Sequence, residues 1–145
     1  MSRKKVNTFI VGAQKAGTTS LYDWLGQHPD VDAPLEIKDY HFFSIDQYFS
    51  KGYKHIESFY KTENKIKLHG AVNYLYFDKV SAKRIYDYNP KAKIIVCLRN
   101  PVDRAISAYK YFVRTLRESN SFSIALDLEL NHKLNSYQEL SNNTY

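Results

Sequence analysis

Between Thr8 and Leu25 the chain reads TFIVGAQKAGTTSLYDWL, and no other segment restricts the fold as tightly. The apolar run Phe9, Ile10 and Val11 feeds a turn containing Gly12 and Gly17. Thr18, Thr19 and Ser20 then open an amphipathic stretch with Leu21, Trp24 and Leu25 on one face. This order predicts strand, loop and helix, with hydroxyls and backbone N–H groups gathered at the helix N-terminus. Such an end carries about half a positive charge and unpaired donors, so it favours a phosphate. Lys15 places a mobile cation inside the same loop. A plain strand-to-helix turn has no packing use for a lysine and three hydroxyls, so the segment reads as a phosphate cradle.

The spacing narrows the reading. A nucleotide-triphosphatase loop has the form G-x-x-x-x-G-K-[ST]. Gly12 and Gly17 keep that separation, but Thr18 occupies the lysine's position and the cation comes early, at Lys15. No second carboxylate strand offers the magnesium site that ATP chemistry uses. A P-loop kinase or nucleotide hydrolase is therefore an alternative that the loop pattern counts against, and a non-catalytic nucleotide-binding module is another.

A chain of 145 residues suits a single domain over 1–145 with a real core. The formal charge of +6 fits an anionic ligand or nucleic acid. The basic residues are scattered rather than striped, so nucleic acid is not the expected partner. Cys97 is the single cysteine and sits in an apolar run, which excludes a disulfide within the chain and reads as a core position. No run approaches the roughly 20 apolar residues of a membrane span. The basic start MSRKKVN is followed by too short an apolar run for a signal peptide. The expectation is a soluble, cytoplasmic protein, and with no cluster at metal-ligand spacing, no metal is expected.

Further along, strand and helix patterns alternate. Val6 to Val11 reads as a strand and Thr18 to Gln27 as a helix, broken by His28-Pro29-Asp30. Val31 to Ser50 reads as irregular and aromatic. Tyr53 to Tyr60 has the look of a short helix, Lys67 to Val72 of a second strand, and Asp78 to Tyr88 of a helix ended by Asn89-Pro90. The run KIIVCL, Lys93 to Leu98, lacks alternation, which predicts a central parallel strand covered on both faces. Asn100-Pro101 starts another helix, with proline at the favoured first position and a stripe of Ile106, Tyr109, Val113 and Leu116. Phe122 to Leu134 reads as a further amphipathic helix, and the last ten residues are polar. The fold class that follows is α/β, a P-loop-like doubly wound sheet with mostly parallel central strands flanked by helices.

A second strand-to-helix junction, CLRNPVDRAISAY, carries Arg99 at the carboxyl end of the apolar strand, where open α/β sheets bind ligands. Its guanidinium fork suits phosphate oxygens, although pairing with Asp103 or capping a helix explains the arginine equally well on its own. Ser107 on the following helix adds a hydroxyl. Two phosphate sites on one sheet imply a bis-phosphorylated nucleotide.

GAQKAGTTSL followed by RNPVDRAISAY resembles the sulfotransferases that use 3′-phosphoadenosine 5′-phosphosulfate, nearest to the carbohydrate branch that includes the heparan sulfate enzymes. The resemblance implies a donor 5′-phosphosulfate held by Gln14, Lys15, Ala16, Gly17, Thr18, Thr19 and Ser20, and a 3′-phosphate held by Arg99 and Ser107. The product is then adenosine 3′,5′-bisphosphate. The family's K-E-x-H-F-F motif is matched by Lys38, Asp39, Tyr40, His41, Phe42 and Phe43, with aspartate in place of glutamate. That implies Asp39 as the base on an acceptor hydroxyl, with Glu36 and His41 as rivals. Lys38 would steady the sulfuryl group or an anionic acceptor, unless it is a solvated surface lysine. Gly70 to Tyr76, GAVNYLY, resembles a family stretch near the acceptor but lacks its acid and proline, which leaves Asn73 with little claim to a substrate contact.

The implied activity is sulfuryl transfer to a hydroxyl, on a carbohydrate acceptor. The aromatic cluster Tyr40, Phe42, Phe43, Tyr48, Phe49 and Tyr53 would stack on sugar rings or, as such clusters more often do, pack internally. The resemblance runs from about Val6 to Leu116. Complete members are commonly about twice as long, so the chain is expected to be an N-terminal portion or a shortened member.

Overall fold

A computed structural model describes residues 5–131. In chain order the elements are β1 (Thr8–Ile10), α1 (Thr18–Gly26), β2 (Val31–Asp32), a 3-10 turn at Leu35–Ile37, α2 (Asp46–Phe49), α3 (Tyr53–Glu57), β3 (Ile66–Gly70), α4 (Asp78–Tyr88), β4 (Lys93–Ile95), α5 (Pro101–Arg114) and α6 (Phe122–Leu130). They fall into two units that divide between Asn100 and Pro101.

In the first unit the strands form a parallel sheet in the order β2-β3-β1-β4. Thr8, Phe9 and Ile10 lie opposite Leu68, His69 and Gly70 on one side and Lys93, Ile94 and Ile95 on the other. Parallel neighbours need crossover connections, which explains why helix follows strand throughout. One sheet face buries Ile10 and Leu68 under Tyr22 of α1, with Leu21 and Leu25 packed beside them. The other buries Phe9, Val11 and Ala71 against Phe42, Phe43, Tyr74, Ile85 and Tyr88. The sequence pattern had put Trp24 on the buried face of α1; Trp24 is exposed and Tyr22 takes its place. Tyr22 sits one turn after Thr18, also buried, whereas Trp24 falls more than a right angle away around the helix.

The aromatic segment is mainly core. Phe42 and Phe43 are fully buried, Phe43 standing edge-on to Phe9 at 5.4 Å, so neither ring is available to stack on a sugar. The short strand β2 went unseen in the sequence. It is anchored by Asp32, whose carboxylate accepts from the Thr62 hydroxyl (2.7 Å), the Thr62 N–H (3.1 Å) and the buried Lys67 ammonium (3.1 Å). Burial alone would raise the Asp32 pKa; these donors outweigh it and hold it below the usual carboxylate value.

The KIIVCL run departs from expectation. Among the described residues β4 is an edge strand rather than a central one, and Ile94 and Val96 are 50% and 46% exposed. The run is apolar on both faces, as read, but only β1 pairs with it. Between β4 and α4 lies an apolar groove of about 310 Å³, lined among others by Val11, Ile85, Ile94 and Val96. No lysine or arginine lines it, so it is no anion site.

In the second unit α5 opens with Pro101 as expected, and Leu116, with a left-handed backbone, ends the turn after it. Tyr109 donates to the Asn120 carbonyl at 3.0 Å and packs on Phe122, which fixes the turn between the helices. Ser121 caps α6 by accepting from the Ile124 N–H. The amphipathic reading of this helix fails: Phe122, Ile124, Leu126, Leu128 and Leu130 recur every second residue, which spreads them around its circumference. The predicted extension to Leu134 lies outside the described residues.

Candidate active site

β1, β3 and β4 run parallel, so their carboxyl ends share one edge of the sheet, the position where open α/β sheets bind ligands. The loop after β1 is held there at several points. The Cys97 N–H donates to the Gly12 carbonyl at 2.7 Å, and the Ala13 N–H donates to the Cys97 carbonyl at 2.8 Å. The Leu75 N–H donates to Val11 at 2.8 Å. Gly12 is required: its φ is 135°, and a Cβ there would stand 2.8 Å from the Val72 carbonyl oxygen. Gly17, with φ 85°, precedes the first turn of α1, which has no side-chain cap, and a Cβ on it would meet nothing within 4 Å. Gly17 thus opens onto free space at the start of a helix that no side chain caps. Thr19 and Ser20 are exposed beside it and Thr18 is buried, while Gln14, Lys15 and Ala16 line the loop half-buried. Lys15 has φ 65°, a left-handed conformation that costs a residue with a Cβ roughly 1–2 kcal/mol. Arg99, beyond β4, donates from Nη1 to the Lys15 carbonyl at 3.3 Å.

The KDYHFF turn sits at the end of β3. Asp39 also has a left-handed backbone, φ 63°, and its N–H donates to the Gly70 carbonyl at 2.8 Å. Aspartate tolerates that region better than glutamate, because its short side chain bonds locally. One carboxylate oxygen accepts from the Val72 N–H at 3.4 Å and the other meets the Lys38 ammonium at 2.6 Å. The Lys38 side chain is only 11% exposed, against 43% for Asp39. Lys38 is thus no solvated surface lysine. Its ammonium lies 5.9 Å from the Tyr22 ring centroid. Gly70 leaves room for the Tyr22 ring, since a Cβ there would approach Tyr22 Cδ2 to 2.9 Å, with Lys38 Cδ at an ordinary 3.5 Å.

Val72 joins the two halves. Its N–H reaches Asp39, and its carbonyl is the group that Gly12 must clear. The predicted donor loop and the predicted base are therefore contiguous through one residue, which nothing in the sequence had singled out. Glu36 is exposed on the 3-10 turn. His41 is half-buried, with its Nδ1 enclosed and lacking a partner. Burial, aided by Lys38, holds its pKa below the usual histidine value against the opposing pull of Asp39 and Asn73, so it is neutral near pH 7. Asn73 is buried and accepts from the Ser44 hydroxyl at 3.2 Å, an internal role. Ser107 belongs to α5, in the second unit.

Residues 5–140 match the family described as the sulfotransferase domain. This chain belongs to that family. Among relatives of the sulfotransferase chain, a membrane-associated sulfotransferase of Dictyostelium discoideum is 31% identical over 79% of this chain and 25% of its own length. A human bifunctional heparan sulfate N-deacetylase/N-sulfotransferase is 35% identical over 70% of this chain and 12% of its own. A human heparan sulfate glucosamine 3-O-sulfotransferase is 34% identical over 74% and 30%. A solved sulfotransferase from Alicyclobacillus acidocaldarius superposes with a TM-score of 0.77 at 38% identity, covering 88% of this chain and 57% of that one. The sulfotransferase chain thus spans less than a third of these relatives and little more than half of the solved structure. The α/β fold with a parallel sheet is the one the solved relative shares. Among the described residues, no helix is long and apolar enough to cross a membrane.

Proposed function

We propose that this chain carries the donor and base machinery for moving a sulfuryl group from 3′-phosphoadenosine 5′-phosphosulfate to an acceptor hydroxyl on a carbohydrate. The observation that carries the reading is the contact of Val72 with both Gly12 and Asp39, which joins the start of the glycine loop leading into α1 to a carboxylate. The donor, when bound, supplies the activated sulfuryl group. The open side of Gly17 and the first turn of α1 fit a 5′-phosphate, and Lys15 neutralises charge that develops on the leaving side. Asp39 removes the acceptor proton as general base, with the Lys38 ammonium, 2.6 Å away, orienting the carboxylate. Arg99 anchors the 3′-phosphate. The carbohydrate acceptor is supported by the relatives named for heparan sulfate. A cytoplasmic location goes with this reading; the lone Cys97 is its support and cell fractionation its test.

His41 is a second candidate for the base because its ring is neutral and its Nδ1 lacks a partner. Loss of turnover in His41→Gln, with Asp39→Asn still active, would move the role to the histidine. Calorimetric titration with adenosine 3′,5′-bisphosphate, against AMP and ATP–magnesium, tests the donor. Selective binding of the bisphosphate is expected. A preference for ATP–magnesium would replace this reading with a kinase.

A further inference from the structure

Three bonds stitch the segment after β4 to the donor loop. Cys97 supplies two of them from its backbone, to Gly12 and Ala13. The third comes from a side chain two residues on, Arg99 Nη1 to the Lys15 carbonyl at 3.3 Å. It falls on the one loop residue with a Cβ that adopts a left-handed backbone. The acceptor is the carbonyl of the residue whose ammonium is assigned to the transferred group. A guanidinium carries five N–H donors in a planar fork, so one edge can hold this carbonyl while another remains for an anion. A lysine at the same position has a single nitrogen and lacks the two separated edges that hold a carbonyl and an anion apart.

We propose that Arg99 is a positioning residue: it holds Lys15 in its left-handed conformation and thereby links the 3′-phosphate end of the donor site to the loop that faces the transferred group. The link to the 3′-phosphate rests on the donor reading above, whereas the hold on Lys15 does not. A donor lacking the 3′-phosphate then binds more weakly and also leaves the loop less ordered, so its loss appears in kcat as well as in KM.

The test is amide hydrogen exchange by NMR on the 145-residue chain, comparing wild type, Arg99→Ala and Arg99→Lys, each with and without adenosine 3′,5′-bisphosphate. The Ala16 N–H, which donates to the Ala13 carbonyl inside the loop at 3.2 Å, is the reporter. In the ligand-free chain its exchange should rise roughly fivefold or more in Arg99→Ala, the loss of about one hydrogen bond, and stay near wild type in Arg99→Lys, with β3 amides unchanged. Adding the bisphosphate should slow it in wild type but not in Arg99→Lys, even at saturation. Unaltered Ala16 exchange in Arg99→Ala overturns the hold on Lys15. Equal slowing in wild type and Arg99→Lys overturns the link. Failure of wild type to bind the bisphosphate sinks the donor reading and the link together, while the ligand-free comparison still decides the hold.

Discussion

His69 Nε2 lies 2.8 Å from the hydroxyl of Tyr74, with both side chains fully buried beneath the KDYHFF turn. The hydroxyl also accepts from the Phe43 N–H and donates to the Tyr40 carbonyl, each at 3.2 Å. It has one proton to give, so with that proton on Tyr40 the histidine supplies the other from Nε2. This pair ties β3 to the backbone that presents Asp39. Burial raises the Tyr74 pKa far above the usual phenol range, and the hydroxyl stays protonated at any working pH.

Tyr74→Phe removes an oxygen with three partners and leaves the Phe43 N–H and His69 without a bond. A loss of about 1–3 kcal/mol is expected from urea unfolding. A change below a few tenths would show that the hydroxyl contributes nothing net.

Burial pushes His69 down to about 3, so the folded chain keeps this ring neutral where the unfolded chain, with an ordinary value near 6.5, binds a proton. Its contribution to stability is complete above about pH 6.5 and is lost progressively as the pH falls toward 3, by at most about 1.4 kcal/mol per pH unit. His41, also depressed, adds loss in the same direction. Unfolding free energies across this range should fall less steeply in His69→Gln than in wild type. Parallel curves would assign the acid loss elsewhere.

Gly12→Ala puts a methyl 2.8 Å from the Val72 carbonyl on a backbone of φ 135°. Strain on the order of 1–3 kcal/mol and a displaced loop follow. Bisphosphate affinity should drop with it, read by calorimetry, while Gly17→Ala, strained but facing open space, should cost affinity less through contact with neighbours.

Asp39→Asn keeps the shape of the side chain and removes the proton acceptor. Turnover should fall by about 10²–10⁴ with bisphosphate binding preserved. Weakened binding at unchanged turnover would make Asp39 a donor ligand rather than the base.

Lys15→Ala should lower turnover by about 10²–10³, the usual loss for one donor to developing charge, with product still bound detectably. Full activity in this variant would remove the proposed role.

The phosphate loop and α4 were legible because their signals are local: glycine spacing, a strand-sized apolar run, helical periodicity ended by Asn89-Pro90. The strand β2 was not, since two residues carry no period and its anchor, Lys67 with Thr62, lies some thirty residues away. Nor was the edge position of β4, because an apolar run reports what its faces prefer and not which strands are beside it. Asp39 was read as a shorter glutamate; its left-handed backbone supplies the reason for aspartate, and only coordinates reveal a dihedral. The roles of Val72 and Tyr22 come from main-chain and ring contacts that any residue of similar shape would hide in a sequence.

Gly70 carries a consequence for how such a site can change over generations. The ring of Tyr22, from the helix assigned to the donor, rests on the space a missing methyl leaves at Gly70, and Lys38, from the pair assigned to the acceptor, lies at ordinary contact distance beside it. A side chain there would collide with the buried Tyr22 ring, so a change at this position asks for a second change in α1. Exposed neighbours such as Glu36 and Leu35 can change one at a time, while the point shared by the two halves stays fixed.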